Sequence, residues 1–112
     1  MAAASAELFH EIIAMYQRHG WRLRRVLLRP ETGGGFDTRT SELLKDAAFS
    51  EAQIDALWFA RPSQAGREAW ELRLVAEQPY ALFEAFETDE TEEEREEVRR
   101  EMEARMKEHA VK

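Results

Sequence analysis

Cysteine is absent from this 112-residue chain. Disulfides are therefore excluded, and so is any thiolate, whether as nucleophile or as metal ligand. Glycine occurs five times and proline three times, too few for a collagenous or low-complexity chain. No apolar run approaches the roughly 18 residues that a spanning helix needs. The start, Met1-Ala2-Ala3-Ala4-Ser5, has neither a basic flank nor a long hydrophobic segment, so no secretory signal is expected there. These absences together point to a cytoplasmic setting. Histidine is scarce as well, with three residues, His10, His19 and His109. His10-Glu11 opens like a zinc-protease helix, but position 14 is Ala14, and two imidazoles one turn apart are what such a site needs. No metal and no cofactor is expected. His10 reads as a helix-face residue, and His19 and His109 as helix-terminal residues that complement the dipole.

What the chain has in abundance is charge. Charged residues are 35% of the sequence and the net charge is -7. Residues 1–56 hold 7 Lys/Arg against 8 Asp/Glu, and the remainder 9 against 15. An acidic surface repels phosphate backbones, so nucleic acid is not an expected partner, and neither is a membrane. Arg18, Arg22, Arg24, Arg25 and Arg29 form a local basic exception. Such a cluster recognises anions when it is free. It reads here first as the charged face of an edge strand, which discourages aggregation. Pairing with the acidic terminal helix is the second reading.

One domain is expected from the length, burying roughly 65% of its unfolded surface. A helix should run from Ser5, a good N-cap, to His19, with Gly20 in the left-handed position that ends it. Leu8, Ile12 and Met15, flanked by Phe9, Ile13 and Tyr16, give it a broad apolar face. Trp21 to Arg29 reads as a strand whose phase slips between Leu23 and Val26, so a bulge is expected near Arg24-Arg25. Pro30 to Thr40, with Gly33-Gly34-Gly35, reads as a flexible loop. No P-loop is present, because Phe36-Asp37-Thr38-Arg39 stands where a Lys-Ser/Thr pair is required. From Ser41 to Ile54 two short helical pieces are expected, the second opened by Ser50-Glu51-Ala52-Gln53 as a capping box.

Three strands follow. Ala56 to Arg61 leads through Pro62-Ser63-Gln64-Ala65-Gly66 into Arg67 to Ala76, where Trp70, Leu72 and Leu74 alternate with Glu71 and Arg73. After Glu77-Gln78-Pro79 comes Tyr80 to Glu87, apolar in both phases, which reads as a central strand or one covered on each side. The chain ends in a helix beginning near Asp89 or Thr91 and running to His109, with Thr91 and Glu94 as a capping box and Glu residues at its positive pole. Its apolar stripe, Val98, Met102 and Met106, is narrow.

The fold expected is therefore α+β: a four-stranded, mainly antiparallel sheet built from a strand, a helical crossover and a three-stranded meander, with N- and C-terminal helices packed on it. Residues 89–112 are expected to project as a charged helix, and Val98, Met102 and Met106 to be its interaction stripe. No Ser-His-Asp grouping or nucleophile elbow is visible, and the carboxylate run at 90–97 reads as solvated, so no catalytic residue is assigned. Trp58, Arg61, Tyr80 and Glu84 are the candidate ligand- or partner-binding residues, Trp58 because it must point away from Leu57 and Phe59. Glu84 reads first as a rim carboxylate paired with Arg61 or Arg73 across the strands, and only second as a group facing into a pocket. In size, acidity and α+β build the chain is similar to small bacterial secretion chaperones, a likeness of bulk that carries no motif. The expected function is a non-enzymatic interaction or adaptor module with a protein partner or a second copy as homodimer. The alternative is a small-ligand binder or minor enzyme with a pocket between sheet and helix.

Overall fold

The computed structural model describes residues 5–110. Residues 1–4 and 111–112, including most of the segment read for a signal, lie outside them. The fold is α+β, and its five-stranded sheet lies between an N-terminal and a C-terminal helix. The elements, in chain order, are α1 (Ala6–Arg18), β1 (Arg22–Leu28), α2 (Pro30–Gly33), α3 (Thr38–Leu44), β2 (Ala48–Glu51), β3 (Ala56–Pro62), β4 (Glu68–Leu74), β5 (Ala81–Phe86) and α4 (Glu92–Ala110). A short 3-10 turn, Gln64–Gly66, joins β3 to β4. The strand order is β2-β1-β3-β4-β5. β1 and β2 are parallel, and every other neighbouring pair is antiparallel.

α1 forms where the sequence places it. Ser5 Oγ accepts the Leu8 N–H, and Gly20 takes φ +83 to end the helix. Phe9, Ile12, Ile13 and Tyr16 are buried along one stripe. They meet Val26, Leu28, Leu57, Phe59 and Ala69 on one face of the sheet. The bulge in β1 is real: the pairing with β3 shifts between Leu23 and Arg25. That extra residue returns Val26 and Leu28 to the face already occupied by Trp21 and Leu23.

The fifth strand is β2, and it replaces the second of the two expected helical pieces. Ser50-Glu51-Ala52-Gln53 does not open a helix. Instead Ala48–Glu51 pairs in parallel with Arg25–Leu28, and the Ala52 N–H donates to the Leu28 carbonyl at 2.8 Å. All four β2 residues are exposed, so no alternation of polarity marks the strand. The expected loop also carries structure. Pro30 starts α2, and α3 begins at Thr38 rather than Ser41, with Asp37 Oδ1 accepting the Thr40 N–H at 2.8 Å. β1 is thus an inner strand, not an edge. Asp55, buried at the head of β3, joins these pieces. It accepts from the Arg29 N–H at 2.9 Å and from Thr32 Oγ1 at 2.8 Å, while its carbonyl accepts the Val75 N–H.

The second face of the sheet is covered by α4. Thr91 and Glu94 cap it reciprocally, the Glu94 N–H donating to Thr91 Oγ1 and the Thr91 N–H to Glu94 Oε1. Hydrogen bonding from the Thr91 N–H first, and then from the Thr91 side chain, holds the Glu94 carboxyl below its ordinary value. α4 does not project. Met102 and Met106 are buried against Trp58, Trp70, Leu72 and Phe86, with Val98 packed at the margin. Burying each methionine is worth about 1.5–3 kcal/mol. The stripe expected to meet a partner therefore meets the protein's own sheet.

Candidate functional site

The sheet is wider than the helices that cover it. Five strands at about 4.8 Å span roughly 19 Å, whereas a helix with its side chains is about 10 Å across. On the α1 face the cover is displaced toward β2. His10 Nε2 lies 3.1 Å from Thr40 Oγ1, joining α1 to α3, and the rings of Phe9 and Phe36 meet edge to face at 5.1 Å. Leu43 and Leu44 of α3 pack on the same core. β5, at the opposite edge, is left bare on this face.

The register fixes which residues stand there. Ala69, Glu71 and Arg73 of β4 lie opposite Ala85, Phe83 and Ala81 of β5. Phe83 is 58% exposed. Ala81 is exposed and Ala85 half-buried. Between this strip and the α1 core runs a polar seam. The Tyr16 hydroxyl donates to Glu71 Oε2, and the Tyr16 ring stacks on Phe59 at 4.1 Å. Burial first, and then the carboxylate of Glu71, push the Tyr16 phenol above its ordinary value of 10.0. At neutral pH it is a hydrogen-bond donor and not a base. Arg73 is buried beside it, its Nε donating to the Leu74 carbonyl at 3.1 Å. The seam closes the core and leaves Phe83 with water on its outer side.

The sequence-predicted residues fall elsewhere, and the structure does not bring them together. Trp58 is fully buried under α4, its Nε1–H donating to Glu103 Oε2 at 2.8 Å. It does point away from Leu57 and Phe59, but the face it points to is covered. Arg61 lies on the α1 face, with its guanidinium 4.4 Å over the Trp21 ring and a bond to the His19 carbonyl. Tyr80 precedes β5 and stacks on His109 at 3.5 Å. Glu84 sits on the α4 face opposite Trp70, half-buried. Four residues on two faces do not line one pocket.

The arginine cluster divides. Arg25 reaches α4, where its guanidinium meets Glu96 Oε1 at 2.8 Å. Arg24 lies 5.1 Å over Trp70, and Arg99 of α4 lies 4.0 Å over the same ring. Pairing with the terminal helix, within one molecule, is thus what Arg25 does.

Two large apolar side chains are well exposed among the described residues, Phe49 on β2 and Phe83 on β5. Neither was singled out from the sequence. Phe49 falls between the two short helical pieces expected from Ser41 to Ile54. Phe83 belongs to a strand expected to be central or covered on each side, whereas β5 is an edge strand. The available signal for Phe83 was positional: β5 is the last strand of a meander and has nothing after it to pair with. Phe49 borders a groove of about 480 Å³ between β1, β2 and the α2–α3 segment, lined by Val26, Leu28, Phe36 and Leu44 with Lys45 nearby. Among the described residues, no three His, Asp or Glu side chains come together to hold a metal ion, and no helix is long and apolar enough to cross a membrane.

No protein-family model, no curated protein and no solved structure matches this chain.

Proposed function

We propose that this protein is a non-enzymatic interaction module, an adaptor or chaperone-like domain, that engages another polypeptide through the β5 edge. The observation that carries the reading is Phe83, a large apolar side chain more than half exposed on a six-residue edge strand. Edge strands are usually blunted by lysine, proline or bulges, because their outer N–H and C=O groups are a template for pairing. β5 carries a single charge, Glu84, and no proline, and its pairing with β4 is unbroken. An added strand gains main-chain hydrogen bonds, and Phe83 supplies an apolar anchor beside it. A cytoplasmic setting belongs to the same proposal, and the cysteine-free composition fits it.

A display library of extended peptides, selected on the intact protein and counter-selected on Phe83→Glu, tests the reading. Enriched peptides should lose binding to Phe83→Glu by tenfold or more. Peptides that bind both proteins equally would refute the β5 edge as the recognition surface. A second reading, a small apolar ligand, rests on the groove beside Phe49. It predicts ligands whose binding is lost in Leu44→Lys and unaffected by Phe83→Glu.

A further inference from the structure

We infer that the occupant of the β5 edge is a second copy of this chain, paired antiparallel about a two-fold axis through Phe83. The inference rests on the interaction reading above and names its partner.

The hydrogen-bond phase comes first. The Leu74 N–H donates to the Tyr80 carbonyl at 2.9 Å, and Arg73 stands opposite Ala81. In an antiparallel ladder the directly bonded pairs alternate with pairs whose main-chain groups point away from each other. Tyr80, Leu82, Glu84 and Phe86 therefore turn their N–H and C=O toward β4. Ala81, Phe83 and Ala85 turn theirs outward, to the free edge. The three residues with unclaimed backbone groups are the same three whose side chains form the bare strip.

The sequence then chooses the partner. A two-fold interface must be self-complementary, each patch meeting its own image. Ala81-Leu82-Phe83-Glu84-Ala85 is a palindrome in side-chain size on the bare face, small, large, small. With the axis at Phe83, Phe83 meets the partner subunit's Phe83 and Ala81 meets the partner subunit's Ala85. The alanines flanking each ring leave space for the ring opposite. All three outward residues of each strand then find main-chain partners within the strand.

Charge selects this register over its neighbours. Moving the axis by one residue to Glu84 would set Glu84 against the partner subunit's Glu84, a like-charge pair. Moving it to Leu82 would set Ala85 against the partner subunit's Pro79, which has no N–H to donate. With the axis at Phe83, Glu84 faces the partner subunit's Leu82, and no two like charges in the strands are directly opposed. The result is a continuous ten-stranded sheet.

The absence of cysteine makes the register directly measurable. Single variants Leu82→Cys, Phe83→Cys and Glu84→Cys are oxidised mildly as purified full-length proteins, and light scattering gives the mass of the wild type and of Phe83→Glu. Directly opposed Cα atoms lie about 5.5 Å apart, within disulfide reach, whereas diagonal ones are beyond it. The expected result is a dimeric wild type, a disulfide dimer from Phe83→Cys alone, and a folded monomer from Phe83→Glu whose far-ultraviolet circular dichroism is unchanged and whose thermal midpoint, unlike the wild type's, does not vary with protein concentration. Ala81→Pro, which removes an outward N–H and leaves the β4 ladder intact, should weaken the dimer at least tenfold and guards against a folding defect in Phe83→Glu. A dimer that survives Phe83→Glu, or that cross-links from Leu82→Cys or Glu84→Cys instead, overturns the inference by locating another surface or register. A monomeric wild type overturns it too, and the interaction reading then stands or falls separately on the peptide selection.

Discussion

Arg99 lays its guanidinium 4.0 Å above the ring of Trp70, with 1% of the residue exposed to water. A cation buried this deeply needs compensation. Glu96 supplies it at 2.9 Å and Glu92 at 3.2 Å, both reaching in from the rim. The ring below adds a cation–π contact, and Phe86 lies 5.2 Å away on the same guanidinium. α4 is thus held by a charged group at one end of its buried stripe and by Met102 and Met106 at the other.

Arg99→Ala should destabilise the protein by about 2–4 kcal/mol, because it opens a cavity beside Trp70 and leaves Glu92 and Glu96 without their shared cation. Arg99→Met should stay within about 1 kcal/mol of wild type, since the stem fills the same space and no buried charge remains. Arg99→Lys should fall between, as an ammonium cannot stack as a planar guanidinium does. Urea unfolding followed by tryptophan fluorescence ranks the three. A methionine variant as unstable as the alanine one would show that the charge itself, and not its packing, holds the helix.

Acidification should loosen α4 through Glu96. Hydrogen bonding to Arg25, the largest cause, together with Arg99, holds the Glu96 carboxyl below its ordinary value of 4.5. A carboxylate whose folded value is depressed contributes stability that is complete above the unfolded value and disappears as pH falls through the folded one. Wild type and Glu96→Gln should therefore differ in stability at pH 7 and converge as pH drops below 4.5. Denaturant midpoints across that range measure the difference. Parallel curves at all pH values would remove Glu96 from the account.

A chain cut after Thr88 should fail to unfold cooperatively. The cut removes α4 and uncovers Trp58, Trp70, Leu72, Leu74 and Phe86 together. Losing one face of its cover exposes half the core of a domain whose net stability is of the order of 5–15 kcal/mol. Calorimetry should show no sharp transition, and the product should aggregate. A well-folded monomer after Thr88 would mean that α4 is an accessory.

The β3–β4 turn gives a paired test of backbone strain. Ala65 adopts φ 59 and Gly66 φ 75. A Cβ on Gly66 would come within 2.8 Å of Thr88 Cγ2, so Gly66→Ala should cost about 1–2 kcal/mol or more from the left-handed backbone and the clash together. Ala65→Gly should move stability the other way, by up to about 1 kcal/mol, because it relieves the left-handed penalty at a modest entropic cost. Thermal midpoints of the two variants should lie on opposite sides of wild type.

Much of the local structure was legible in the chain itself. Ser5 and Gly20 bound α1, Thr91 and Glu94 start α4, and the slipped phase from Leu23 to Val26 locates the bulge. These are contacts over a few residues, so a few residues encode them. β2 was not legible. Its four residues are exposed, and what makes it a strand is its parallel partner β1, more than twenty residues earlier. Its Ser50-Glu51-Ala52-Gln53 pattern is a sound capping signal that tertiary pairing overrode.

The candidate site was the least legible part. Trp58 alternates away from Leu57 and Phe59 to the second face, but whether that face is open depends on where a helix over thirty residues away comes to rest. Phe83 alternates as any half-buried strand residue would. It is exposed because two helices gather on one side of the α1 face and leave the last strand bare. The sequence alone determined the caps of α1 and α4, the bulge, the meander and the absence of thiol chemistry, since each depends on local backbone preference or composition. Strand order, the burial of Trp58 and the exposure of Phe83 were decided only by the tertiary structure, because they follow from how a five-stranded sheet is shared among helices narrower than it is.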